Sequence, residues 1–136
     1  EFYKLPIDDF ATFCRAAASA IALDMQIIWA WHVGAAGSRI TNGYMNLGGG
    51  PGNHSNCIHS GKWRGGKTLV DPDNQNSWGP SVDPLYGNVG GNGWGEGGFA
   101  LTTMEGLYSC VRNHGIYVQT SVAIDPTDPA FQGIAT

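Results

Sequence analysis

Gly61-Lys62-Trp63-Arg64-Gly65-Gly66-Lys67-Thr68 satisfies every position of the G-x-x-x-x-G-K-[ST] phosphate-binding pattern, and its reading decides the fold. That pattern cradles phosphates only where a buried strand leads into the glycine turn and a helix leads out, because converging backbone N–H groups and a helix N-terminus do the binding. Upstream, Gly48 to Cys57 (GGGPGNHSNC) reads as turns. Downstream, Pro72 would stop a helix within its first turns, since it lacks an N–H and fixes φ. Both flanks fail, so the stretch is expected to be a glycine-rich loop ending in a short strand, with no nucleotide and no other cofactor.

Working outward on the N-terminal side, Asp8 or Asp9 can cap a helix whose apolar residues Phe10, Phe13, Cys14, Ala17 and Ile21 recur at helical spacing. Met25 to Val33 then turns β-branched and aromatic, with Met25, Ile27, Trp29, Trp31 and Val33 on one strand face; a continued helix competes with this reading. Asp24 and Gln26 interrupt the apolar run from Ala16 to Val33, which argues against a membrane span.

The C-terminal side repeats the order. Thr102-Thr103-Met104-Glu105 reads as a capping box with Thr102 as cap, opening a helix with Met104, Leu107, Tyr108 and Val111 on its apolar side. Gly115 supplies the stop, and Ile116 to Ile124 alternates as a half-buried strand before Asp125-Pro126 and an irregular tail. Shorter strands are expected over Arg39 to Leu47 and Lys67 to Val70, followed by a long Gly, Asn and Trp loop from Pro72 to Gly98. The expected architecture is one α+β domain over residues 1–136: an α/β sandwich with two helices on one antiparallel sheet, split β-α-β units and the long loop.

Composition bounds the function. With 21 glycines, five tryptophans and 13% charged residues, the chain resembles a compact, loop-rich secreted domain. A net charge of −4 argues against general nucleic-acid affinity. Lys62, Arg64 and Lys67 form a local basic cluster, either an ordinary solvated loop or a contact surface. The three cysteines, Cys14, Cys57 and Cys110, would in a secreted chain leave one disulfide and an odd thiol, buried, free or joined to a second chain; a reduced cytosolic protein is the alternative. A bridge tethering Cys57 to the helix of Cys14 or of Cys110 is the expectation here. Asn53-His54-Ser55 is a glycosylation acceptor if the chain is secreted. The opening Glu1-Phe2 is what an EcoRI site encodes, and is expected to be a scar ahead of a processed product.

His54, Cys57 and His59 stand close enough in sequence to suggest a metal site, completed by His32, Asp71 or His114, or a Cys–His nucleophile. Neither is expected, because the fourth ligand is distant and Cys57 is read in a loop without an orienting group. His114, at a helix end, suits the C-terminal dipole as a cation. Trp63, Trp78 and Trp94 either stack on sugar rings or plug gaps in the core.

The run Leu107 to Val118 (LYSCVRNHGIYV), an amphipathic helix ending in Asn-His-Gly before a core strand, resembles the fungal and yeast killer toxins and related secreted effectors of plant-pathogenic fungi; Asp83-Pro84-Leu85-Tyr86 echoes a piece of a smut-fungus toxin. The resemblance implies secretion and action on a membrane, channel or cell-wall component of a target cell, and carries across no catalytic residue. The expected function is therefore binding, with His59, Lys62, Trp63, Arg64 and Lys67 as target-binding residues. A carbohydrate-binding module and a small hydrolase using His54, Cys57 and His59 are the alternatives.

Overall fold

A computed structural model of the chain describes residues 2–32, 40–47, 52–66, 69–77, 95–113 and 115–119. Lys67, Trp78, Trp94, His114, the Asp83–Tyr86 run and the strand expected beyond residue 119 lie outside the described residues. The elements run β1 (Phe2–Lys4), α1 (Phe10–Ala22), β2 (Gln26–Trp31), β3 (Ile40–Thr41), β4 (Tyr44–Met45), β5 (His54–Arg64), β6 (Leu69–Gln75), β7 (Phe99–Leu101), α2 (Met104–Val111) and β8 (Tyr117–Gln119). The fold is α+β: two helices and one mostly antiparallel sheet of eight strands in the order β1-β8-β2-β5-β6-β7-β4-β3, with β4 and β7 parallel.

Local chemistry sets both helices. Asp9 caps α1, its carboxylate accepting from Thr12 N at 2.9 Å, and Leu23 closes the helix before Asp24 turns the chain at φ 56°. That stop ends the helix, and the next residues form a strand rather than another turn. Met25, Ile27, Trp29 and Trp31 are then buried, as the alternation requires. In α2 the cap is Thr103, not Thr102: Thr103 Oγ1 accepts from Gly106 N at 3.0 Å. Thr102 is buried, and its hydroxyl meets Asn74 Nδ2 at 3.2 Å.

The stretch between residues 48 and 76 departs most from its sequence reading. Cys57 lies within an 11-residue strand, not a loop, because β5 pairs antiparallel with β2 from Trp31↔His54 to Ile27↔Ile58. A polar run forms a strand here because the neighbouring strand supplies its hydrogen bonds. Beyond Arg64, Gly65 and Gly66 have φ 59° and 68°, and Arg64 pairs with Leu69 of β6, so the described part of the phosphate-loop pattern, Gly61 to Gly66, belongs to a β-hairpin. β6 continues through Pro72, which pairs with Gly61. β7 pairs with β6 only from Asp73 onward, so Pro72 needs no N–H on that side.

One buried cluster unites Phe13, Ala16, Ala17 and Ala20 of α1, Met104, Leu107 and Val111 of α2, and Ile27, Trp29, Ile58 and Val118 from the sheet. Two tryptophans in such a core need acceptors for their N–H groups. Trp29 Nε1 donates to Asn74 Oδ1 at 2.8 Å, and the amide oxygen of Asn56 lies 3.3 Å from Trp31 Nε1 in the orientation that satisfies its neighbours. Asn74 in turn donates to Pro72 O and Ala100 O at 3.2 Å, tying β2, β6 and β7 together at a fully buried point.

Candidate functional site

Register builds the first feature. β2 accompanies β5 only as far as Ile58 and β7 accompanies β6 only from Asp73, so Gly61–Arg64 and Leu69–Pro72 pair with each other alone among the described strands. The hairpin thus forms a two-stranded arm. Its side chains Lys62 and Trp63 are exposed, Trp63 at 55%.

Arg64, expected to be a free cation beside them, is committed instead. Its Nε donates to Asp71 Oδ1 at 3.1 Å and lies 2.9 Å from Oδ2 of the same carboxylate, and its Nη2 donates to Glu105 Oε2. Asp71 is fully buried and also accepts from Tyr44 Oη at 2.7 Å and Met104 N at 3.2 Å. Buried carboxylates require such partners. The bond to Asp71, with burial, pushes the Tyr44 phenol up, while Glu105 and Asp71 hold the Arg64 guanidinium protonated. The Arg64–Asp71–Glu105 set latches the arm to the start of α2.

His59 is likewise engaged: Nε2 lies 3.0 Å from Gln75 Oε1 and the ring meets Phe99 edge-on at 5.8 Å. Of the five residues expected to bind a target, Lys62 and Trp63 are presented to solvent, Arg64 and His59 serve neighbouring contacts, and Lys67 lies outside the described residues.

Lys62 borders the second feature, a cleft of about 560 Å³ lined by Ile40, Lys62, Asp73, Glu96, Phe99 and Leu101 among others. Burial is the main force pushing the Asp73 carboxyl up; nearby Glu96 adds to it, while His59 and a hydrogen bond with Ser60 oppose it. Glu96 is positioned by a tight turn in which Glu96 N donates to Phe99 O at 2.9 Å and Phe99 N donates to Glu96 O at 3.0 Å. Gly95 makes that turn possible at φ 56°, where a Cβ would stand 2.0 Å from Phe99 O.

The sequence reading missed Asp73 and Glu96. Asp71-Pro72-Asp73 carries a signal in retrospect: carboxylates two apart on a strand project to the same side. Gly95-Glu96-Gly97-Gly98 similarly marks a turn tip bearing one acid. Nothing local pairs the two, because the β6–β7 register, Asp73↔Leu101 and Gln75↔Phe99, brings them together.

The His54, Cys57 and His59 set does not assemble. His54 Nε2 lies 2.8 Å from Asn76 Oδ1, with its ring against Trp31, and His59 is on Gln75. Burial alone pushes the Cys57 thiol up, opposite to what a nucleophile needs. Among the described residues no three His, Cys, Asp or Glu side chains stand where they could hold a metal ion.

The three cysteines are not paired in this structure: Cys14, Cys57 and Cys110 are free thiols. Cys14 on α1 and Cys110 on α2 pack against the core cluster. Cys57 faces the other way, since it pairs with Ile28 and Gln75 while its neighbours Asn56 and Ile58 pair with the inward-facing Trp29 and Ile27. A bridge would have to pass through the sheet. Asn53 is exposed just ahead of β5, its N–H donating to Trp31 O at 3.0 Å.

No described helix is long and apolar enough to cross a membrane, which says nothing of strands. Comparison with family models, with curated proteins and with solved structures gave no match for this chain.

Proposed function

We propose that this protein is a small secreted binding factor, similar in action to killer toxins and effectors, that engages a component of a target-cell membrane, channel or wall through the β5–β6 arm. The carrying observation is the arm: Trp63 is 55% exposed on a hairpin that outruns both neighbouring strands, beside Lys62 on the lip of the 560 Å³ cleft. Exposed aromatic and basic side chains on a braced hairpin suit an anchor, because the aromatic contributes large contact area for little lost entropy. The Arg64 latch supports this by holding the arm in place before contact, which lowers the ordering cost of binding.

The finer architecture belongs to the same reading. β8 lies between β1 and β2 and is antiparallel to both, so the β1-α1-β2 passage fits a split β-α-β unit in an α/β sandwich.

The test is a growth assay of sensitive fungal or yeast cells, together with retention of labelled protein on their surfaces. Trp63→Ala and Lys62→Glu are expected to reduce both by at least about tenfold while circular dichroism stays unchanged. Folded variants that kill and bind like the parent would remove the arm from the mechanism, and a parent chain that neither binds nor inhibits any such cell would overturn the toxin reading.

A further inference from the structure

Asn53-His54-Ser55 is the one place in the 136 residues where an asparagine is followed two positions later by Ser or Thr. Binding through the arm makes no use of it. What such a tripeptide can become depends on the fold, because an attached glycan is bulky and hydrated and must pass from the asparagine straight into solvent. Register sets the direction of each of the three residues. Asn53 N donates to Trp31 O at 3.0 Å, and β5 then pairs with β2 through Trp31↔His54, Ala30↔Ser55 and Trp29↔Asn56. His54 turns inward, its ring edge-on against buried Trp31 and its Nε2 2.8 Å from Asn76 Oδ1, and Asn56 is buried beside it. Strand alternation therefore sends Ser55 the other way, and both Asn53 and Ser55 are exposed. The inward anchors on His54 and Asn56 hold the acceptor and its hydroxyl at the surface of the folded chain.

We infer that Asn53 is a site of N-linked glycosylation, and that the folded chain carries the glycan at the end of β5 remote from the arm. The donor is an oligosaccharide joined through pyrophosphate to a membrane lipid, and a membrane oligosaccharyltransferase carries out the transfer. Asn53 Nδ2 forms a C–N bond to the anomeric carbon of the first sugar, and the bond from that carbon to the phosphate oxygen breaks. The lipid pyrophosphate leaves with the electron pair, a base of the enzyme takes the displaced amide proton, and nothing is oxidised or reduced. The Ser55 hydroxyl completes the acceptor, and His54 between them is not proline. Asn53 and Trp63 stand at opposite ends of the β5 run, about 30 Å apart at the rise of an extended strand. A glycan on Asn53 therefore leaves Lys62 and Trp63 uncovered.

The inference rests on the secreted habit proposed above and not on the arm. Its test is translation of the full chain, behind a cleavable signal peptide, into endoplasmic-reticulum microsomes, with mass spectrometry of the protease-protected product. That product is expected to carry one glycan, on the peptide that holds Asn53, released by peptide N-glycosidase. Asn53→Gln and Ser55→Ala should each lose it entirely, and Ser55→Thr should keep it. Trp63→Ala should leave it unchanged, so a glycosylated chain that fails to bind target cells counts against the arm and not against this site. The glycosylated chain secreted from yeast should give the circular dichroism of the enzymatically deglycosylated one. The inference is overturned if the protected chain carries no glycan, if the glycan persists in Asn53→Gln, or if the glycosylated chain loses the native spectrum, since Asn53 would then not face solvent in the fold.

Discussion

Asp73 is a carboxylate held where its charged form is disfavoured: burial, and then Glu96, push its pKa up against the weaker pull of His59 and Ser60. Linkage fixes the consequence. The folded chain holds this proton more tightly than the unfolded one, so stability attached to Asp73 is full below the ordinary aspartate range and is lost as pH rises through the raised value. Near neutral pH the residue is a net liability, of the kind that binding clefts tolerate. Asp73→Asn is accordingly expected to raise the thermal midpoint near neutrality, with the gain vanishing once the medium is acidified below the ordinary carboxyl range. Melting curves across that range decide it; an Asn variant no more stable than the parent at neutral pH would show that the cleft solvates the charge. Asp9 shows the opposite sign, because bonds from the Thr12 backbone and side chain pull its carboxyl down.

At the scale of elements, Arg64 joins two carboxylates of unequal worth. Asp71 is fully buried and Glu105 is half-exposed, while the Arg64 side chain is 39% exposed. Exposed ion pairs contribute little, whereas a buried carboxylate deprived of a donor is left uncompensated. Double-mutant cycles with Arg64→Met, Asp71→Asn and Glu105→Gln should therefore give a coupling of about 1–2 kcal/mol for Arg64–Asp71 and below about 0.5 kcal/mol for Arg64–Glu105. Equal couplings would mean that the latch is a surface network rather than an anchor for the arm. The same elements show how far the sequence could be read. Asp9, the 25–31 alternation and the 104–111 apolar spacing act within one turn or one strand, and each forms where local chemistry places it. The Thr102/Thr103 shift comes from a long-range contact, since Asn74 claims the hydroxyl that the capping pattern assigned to the helix. β5 was hidden for the same reason: His54-Ser55-Asn56-Cys57 has no strand propensity of its own and becomes a strand because β2 pairs with all four residues, with β6 joining at Cys57. Arg64 looked like a free cation because Asp71 and Glu105, its partners, belong to other elements.

For the whole molecule, the sheet order decides which residues can meet. β8, near the end of the described chain, fits between β1 and β2, and β5 sits between β2 and β6, so the core closes through pairings distant in sequence. That order puts Cys14 and Cys110 with the helices and Cys57 on the opposite side of the sheet, an arrangement no spacing of cysteines could disclose. It also denies Cys57 a bridge to either helix, and the two faces are held by the shared cluster of Phe13, Trp29, Ile58, Leu107 and their neighbours. Burial pushes all three thiols up, which slows their reaction in the folded state. In denaturant without reductant, all three cysteines should titrate with a thiol reagent; in native buffer they should react slowly, and melting curves with and without reductant should coincide. A bridge found by peptide mapping between Cys57 and either helix cysteine would have to pass through the sheet, and would mean that β5 is paired differently from the register on which the arm depends.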